Sequence, residues 1–248
     1  MTSVVLGHTP LAIIGIIIFG LPDFNGFNFI LISAFLHFFY QVFLLNAYKY
    51  GELSEVYPIA RGASPLIITT ISLFFFKEHI SFFEIFGIII ICLSILTYGL
   101  KQYLDNRSNI KGFYLALITG CFIASYSIVD GLGARITENA IGYYSFVTLI
   151  NSVIFIFFVK LYHPGTLKRV IYESKNVFFI GGSASFIAYA IVVWACLFLP
   201  IAVVSSIRET SIIFAMLLGI FCLKEKFNLM KFILIIGSFL GIILMRLG

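Results

Sequence analysis

The sequence predicts an all-α integral membrane protein, a polytopic helical bundle of about nine transmembrane helices in two inverted repeats, four helices followed by five. Three observations lead there. Only 11% of the 248 residues are charged, 61% are hydrophobic and the mean hydropathy is +1.09, which leaves too little polar surface to coat a water-soluble globule. Polar or Gly/Pro punctuation divides the chain into nine mostly apolar stretches of about 20 residues, the length that crosses a bilayer. Two consecutive stretches then recur later in the chain at a constant offset. The alternating ten-residue strands that a β-barrel needs are not seen; long Ile and Leu runs and 29 phenylalanines take their place.

In order, the stretches cover residues 4–20, 28–48, 53–76, 81–100, 112–134, 141–161, 177–198, 200–223 and 228–247. The first, within "MTSVVLGHTPLAIIGIIIFG", has no basic residue ahead of its apolar run, so it reads as a retained helix and not as a cleaved leader. The connections are short. The longest, "KLYHPGTLKRVIYESK" from Lys160 to Lys175, is too small for a soluble domain. Cys92, Cys121, Cys196 and Cys222 all lie in apolar runs without CxxC spacing, which predicts buried free thiols and no metal or redox site.

The repeat emerges when the third and fourth stretches are laid over the eighth and ninth at an offset of 147 residues, so that "IARGASPLIITTISLFFFKEHISF" faces "SIRETSIIFAMLLGIFCLKEKFNL". Arg61 then meets Arg208, Ser64 meets Ser211, Lys77 meets Lys224 and Glu78 meets Glu225. An offset of five helices, an odd number of crossings, reverses direction through the bilayer. Residues 1–105 and 110–248 therefore form inverted repeats of four and five helices, an arrangement common in secondary transporters.

At this point the chain resembles the drug/metabolite transporter superfamily, specifically its EamA-type permeases. The resemblance is carried by "AYKYGELSEVYPIARGASPL" (47–66), "SYSIVDGLGAR" (125–135), "PIAVVSSIRETSIIFAMLLGIFCLKEKF" (200–227) and the closing "GIILMRLG". It implies small-metabolite export or uptake without ATP and without a cofactor. Members usually have ten helices in two repeats of five. The usual first helix, with its Trp-Asn pair and following Lys, is expected to be lacking here.

Several side chains are candidates for the solute site. Tyr57, Arg61 and Ser64 fall at i, i+4 and i+7 on one helical stripe, and Ser205, Arg208 and Ser211 supply the matching face. An arginine in hydrocarbon costs from about 2.5 to more than 10 kcal/mol, so both stripes should face protein or a wet cavity. Sixteen residues separate Arg61 from Lys77, about 24 Å of helix; by inversion Arg208 should sit at mirrored depth, one guanidinium near each mouth of a shared cavity. Each arginine has several readings: contact with solute, snorkelling to the headgroups, gating, or structural pairing with Glu55, Glu209 or Asp130. The 100° between neighbouring residues argues against a face-to-face Arg208–Glu209 pair. Glu209, Asp130 and Glu55 are the proton-coupling or gating candidates, with Asp130 also placed to pair with Arg135 or to cap its turn.

Gly62 and Pro65 predict a hinge, a bend or opening in the third stretch that the eighth does not share. Trp194 and Tyr189 are aromatic candidates for a cavity wall. His37 reads as a satisfied core group, and no residues have catalytic or metal-ligand spacing. Small-residue spacings, Gly120–Ala124 and Gly237–Gly241, suit close helix packing and are compatible with a homodimer face.

Alternate loops carry eleven Lys and Arg on one side against Lys77, Arg135 and Arg246 on the other. Positive-inside logic puts the N-terminus in the cytoplasm and the C-terminus outside, in a cell (inner) membrane; the usual ten-helix relatives keep both ends inside. The expected partners are a small-molecule solute and the lipid bilayer, with no nucleic acid. The competing readings are a non-transporting or truncated assembly partner and a membrane-embedded enzyme, the latter opposed by the lack of HExxH, GxSxG or Walker A motifs.

Overall fold

The computed structural model describes residues 1–106, 109–222 and 229–247, and every regular element among them is helical. The chain runs α1 (Thr2–Gly7), α2 (Thr9–Phe19), a 3₁₀ turn (Phe24–Gly26), α3 (Phe27–Ala47), α4 (Leu53–Phe74), α5 (Phe82–Asp105), α6 (Ile110–Thr137), α7 (Ala140–Tyr162) and α8 (Thr166–Glu173). A π-helical turn (Val177–Gly181) leads into α9 (Gly182–Ala195), followed by α10 (Ile201–Glu209), α11 (Ser211–Cys222) and α12 (Leu229–Arg246). Local chemistry sets several starts. "SFFE" forms a capping box at α5: the Glu84 amide donates to Ser81 Oγ at 3.2 Å and the Ser81 amide donates to Glu84 Oε2 at 2.6 Å. Asn139 caps α7 by accepting from the Gly142 amide.

Among the described residues, seven helical runs are long and apolar enough to cross a membrane, where the sequence suggested nine. They are Thr2–Phe19, Phe24–Ala47, Phe82–Asp105, Ile110–Thr137, Ala140–Tyr162, Val177–Ala195 and Leu229–Arg246, with mean hydropathies of 1.7 to 2.2. The two expected spans outside this set are those that hold Arg61 and Arg208. Helix α4 is long enough, but Ser54, Glu55, Tyr57, two prolines, Arg61 and Gly62 dilute its apolar content. The other is divided into α10 and α11 at Thr210. The connection at Lys160–Lys175 contains the short helix α8.

The chain does not leave the helix at Gly62 and Pro65. Helix α4 continues through Pro58 and Pro65, and Thr69 Oγ1 donates to the Pro65 carbonyl at 2.7 Å. The missing side chain of Gly62 serves packing, since a Cβ there would lie 2.8 Å from Leu96 Cγ on α5. An interruption lies in the eighth stretch, which has no proline after Pro200. Both the amide and the hydroxyl of Thr210 donate to the Ile207 carbonyl, at 3.1 and 2.6 Å, which tightens the chain into a 3₁₀-type turn.

The chain forms two compact units, each drawing on both halves of the sequence: Met1–Gln41 with Ile128–Phe198, and Val42–Ser127 with Leu199–Gly248. In the first, α7 packs on α2 and α9 around Ala12, Ile30, Ala34, Tyr143, Val147 and Phe186. In the second, α5 packs against α4 and α12, and α10 against α4 and α5. Large apolar residues such as Ile17, Phe24, Phe74 and Phe82 face outward, while Glu55, Asp130, Glu209 and many hydroxyls are buried. This distribution suits a lipid environment, where backbone polarity is satisfied inside helices and charges turn inward.

Both predicted small-residue spacings are used within the chain. Gly241 backs onto Gly87 of α5, and a Cβ on Gly120 would lie 2.7 Å from the carbonyl oxygen of Ala60, the residue before Arg61. Gly120→Val is therefore expected to destabilise the protein by about 1–3 kcal/mol by overpacking. Ile118→Val, at an exposed position of the same helix, should stay within about 0.5 kcal/mol. Thermal unfolding of the detergent-solubilised variants measures both.

Candidate functional site

Two helices of the second unit, α4 and α10, bring one carboxylate and two guanidinia together. Glu209, the last residue of α10, is fully buried. Its Oε2 accepts from Arg61 Nη1 of α4 at 3.1 Å, and its Oε1 accepts from Arg208 Nε and Nη2 at 3.0 and 2.9 Å. Arg208 Nη1 also donates to Ser127 Oγ of α6 at 3.3 Å. The Arg61 guanidinium lies over the Tyr57 ring, 4.8 Å from its centroid, so the i, i+4 spacing expected on this stripe yields a cation–π contact. The side chain of Arg61 is 24% exposed, that of Arg208 is 9% exposed. Such burial leaves each charge dependent on its partners.

This geometry corrects two expectations. The arginines do not stand apart at opposite mouths, because both reach the same carboxylate. Nor does the 100° step keep Arg208 from Glu209: the long arginine stem turns back, and its Nε–Nη2 edge meets one oxygen where α10 ends.

The other expected residues are distributed as follows. Ser64 and Ser205 are buried, one turn from Arg61 and Arg208 respectively, and each hydroxyl oxygen has no hydrogen-bond partner among the described residues. Ser211 is exposed at the start of α11. Glu55, in the first turn of α4, is buried and accepts from Asn106 Nδ2, which ties that helix start to the end of α5. Gly62 and Pro65 are interior to α4, as described above. Trp194 is half exposed on α9, edge-on to the exposed ring of Phe198. Lys224 and Glu225, half of the repeated KE motif, lie outside the described residues.

The first unit holds a second polar group, most of which sequence reasoning missed. Asp130 lies inside α6, seven residues before its end, so it caps no turn. Its carboxylate accepts from Ser33 Oγ and from Tyr143 Oη at 3.3 Å on Oδ1, and from Tyr189 Oη at 2.8 Å on Oδ2; His37 Nε2 is 3.0 Å from Oδ2. Arg135 Nε donates to the Cys196 carbonyl at 2.8 Å. The available signal was the one-turn spacing of Ser33 and His37 in an otherwise apolar helix. No group of three or more His, Cys, Asp or Glu among the described residues is arranged to hold a metal.

Replacing Glu209 by Gln leaves two partly buried guanidinia facing an uncharged amide. A loss of roughly 3 kcal/mol is expected, larger than for Arg61→Gln, after which Glu209 keeps Arg208. The double variant Arg61→Gln/Glu209→Gln should regain part of that loss, because one of the two neighbouring cations is gone. Denaturant unfolding in detergent reads all three.

Two comparisons bear on identity. No curated protein matches the chain. The model of the EamA-like transporter family matches residues 110–247, which run from the start of α6 through α12 and include Asp130, Arg208 and Glu209. That match covers more than half of a chain built of apolar helices with inward-facing charges, and the chain belongs to the EamA-like transporter family of the drug/metabolite transporter superfamily.

Proposed function

We propose that this chain is a secondary transporter of a small polar or anionic organic metabolite, and that the solute is held at Arg61 and Arg208. The observation that carries the reading is the sharing of one buried carboxylate by two guanidinia. A carboxylate, phosphonate or phosphate has the planar or multidentate acceptor geometry that matches a guanidinium edge. It competes with Glu209 for one arginine while the other keeps its partner. Glu209 then acts as an internal stand-in for the solute's acid group and keeps the site from standing charged and empty. Tyr57, Ser64 and Ser205 supply the remaining wall, the two serines through hydroxyls that lack a protein partner.

Alternating access is the working mode that fits two interleaved units. In this reading α4 and the α10–α11 pair also cross the bilayer, giving nine spans in two inverted repeats. The pairs related by the 147-residue offset support it: α5 packs on α12 and α4 on α10. The tightened turn at Thr210 is the local element suited to move Arg208 and Glu209, with Gly62 and Pro65 as its counterpart in α4. The bilayer is the cell (inner) membrane, with the N-terminus cytoplasmic and the C-terminus outside by positive charge.

The test is transport into proteoliposomes of a labelled panel of small carboxylates, phosphonates and phosphates. Arg208→Ala is expected to abolish uptake with expression intact, and Arg208→Lys to lower it at least tenfold, since a lysine keeps the charge but not the fork. Uptake by Arg208→Ala at the level of the unaltered protein removes Arg208 from the site.

A further inference from the structure

We infer that the basic face of α8 is a binding surface for the phosphate headgroups of anionic lipids, which hold this helix at the membrane interface. The inference rests on the membrane embedding of the chain and not on the solute site.

The neighbours of α8 fix where it lies. The runs on either side of it, Ala140–Tyr162 and Val177–Ala195, are each long and apolar enough to cross a bilayer. Consecutive crossings run in opposite senses, so the connection between them stays at one face. The chain leaves α7 where the His163 amide donates to the Val159 carbonyl at 2.9 Å, then turns through Pro164 and Gly165. Gly165 has φ +92°, in the left-handed region that favours glycine, and its carbonyl accepts from the Arg169 amide at 3.3 Å as α8 begins. Residues 163–165 and 174–176 are the only links to the two runs. Three residues reach at most about 10 Å, so α8 is held close to the headgroup layer.

The side chains of α8 divide by face. Val170 is 5% exposed, and the helix packs on α7 and α1. Thr166 and Leu167, both half-buried, lie within about 60° of Val170 around the helix. Lys168 lies about 160° from it and Arg169 about 100°, and both are exposed. Lys160, in the last turn of α7, and Lys175, just before the next run, are exposed as well. Residues 160–176 thus carry four cations against one acid, Glu173.

That charge matches one kind of lipid. A zwitterionic headgroup brings its own ammonium to compete for its phosphate, whereas an anionic lipid offers a phosphodiester with no such partner. A guanidinium edge engages two phosphate oxygens and an ammonium adds a point charge. Each Lys or Arg close to an anionic surface strengthens attachment several-fold. With Val170 on the protein and Lys168 and Arg169 on the headgroups, α8 bridges the end of α7 to the lipid around it.

The test counts lipids retained by the full-length protein in nonionic detergent, by native mass spectrometry, during titration with phosphatidylglycerol and, separately, phosphatidylcholine. Phosphatidylglycerol is expected to half-saturate the protein at a concentration at least tenfold lower. Lys168→Gln/Arg169→Gln should lose most of that preference, and Lys160→Gln/Lys175→Gln, on the flanks of α8, at least threefold of it. Lys101→Gln/Lys111→Gln, which removes the same charge from exposed positions elsewhere, should keep the preference to within threefold. A tenfold excess of inorganic phosphate should leave the phosphatidylglycerol in place. Equal retention of the two lipids by the unaltered protein overturns the inference, as does full preference in both Gln pairs around α8. An equal loss in the Lys101/Lys111 pair assigns the effect to net charge and removes α8 from it, and displacement by phosphate makes this an anion site instead of a lipid surface.

Discussion

A buried carboxylate held between two guanidinia is the constraint on which the second unit depends. In an apolar interior an isolated ion is so costly that its partners are in effect part of its structure. Glu209 satisfies Arg61 and Arg208 at once, and so joins α4 to α10, while Ser127 ties Arg208 to α6. Three helices are thereby held by directional, charge-assisted bonds in surroundings where apolar contact alone gives little orientation, because lipid tails are as apolar as the side chains they meet. Around that centre the packing is close: Gly62 admits Leu96 of α5 and Gly120 admits the Ala60 carbonyl. Both contacts flank Arg61 in sequence, so small residues set the position of the helix and the ion pair sets its rotation.

The first unit solves the same problem with different chemistry. Asp130 has hydroxyls and an imidazole about it where Glu209 has guanidinia. The two buried acids are thus satisfied by different means, one by charge-assisted bonds and the other by hydroxyls and a ring nitrogen.

Much of this was legible in the sequence. Apolar run length located most of the helices, and the 147-residue offset singled out Arg61 and Arg208 together. Three things were not legible. The meeting of both arginines at Glu209 escaped because depth was inferred from straight helices, whereas a guanidinium travels several ångströms on its stem. The interruption at Thr210 escaped because proline and glycine are the usual breakers, and a threonine that bonds backward to Ile207 leaves no such mark. The Asp130 group escaped because its members come from four helices and only Ser33 and His37 share a spacing.

Arg61 and Glu209 are 148 positions apart, and this separation bears on how the molecule is made. At ordinary rates of synthesis the interval between the two residues is on the order of ten seconds, during which α4 carries its cation with no Glu209 yet in existence. A segment already poor in apolar residues must therefore wait, shielded by the Tyr57 ring and by α5 or left at the membrane surface, until the ribosome delivers its counter-ion. Maturation of this protein is then a late docking event, and a nascent chain halted before α10 is the form most exposed to quality control.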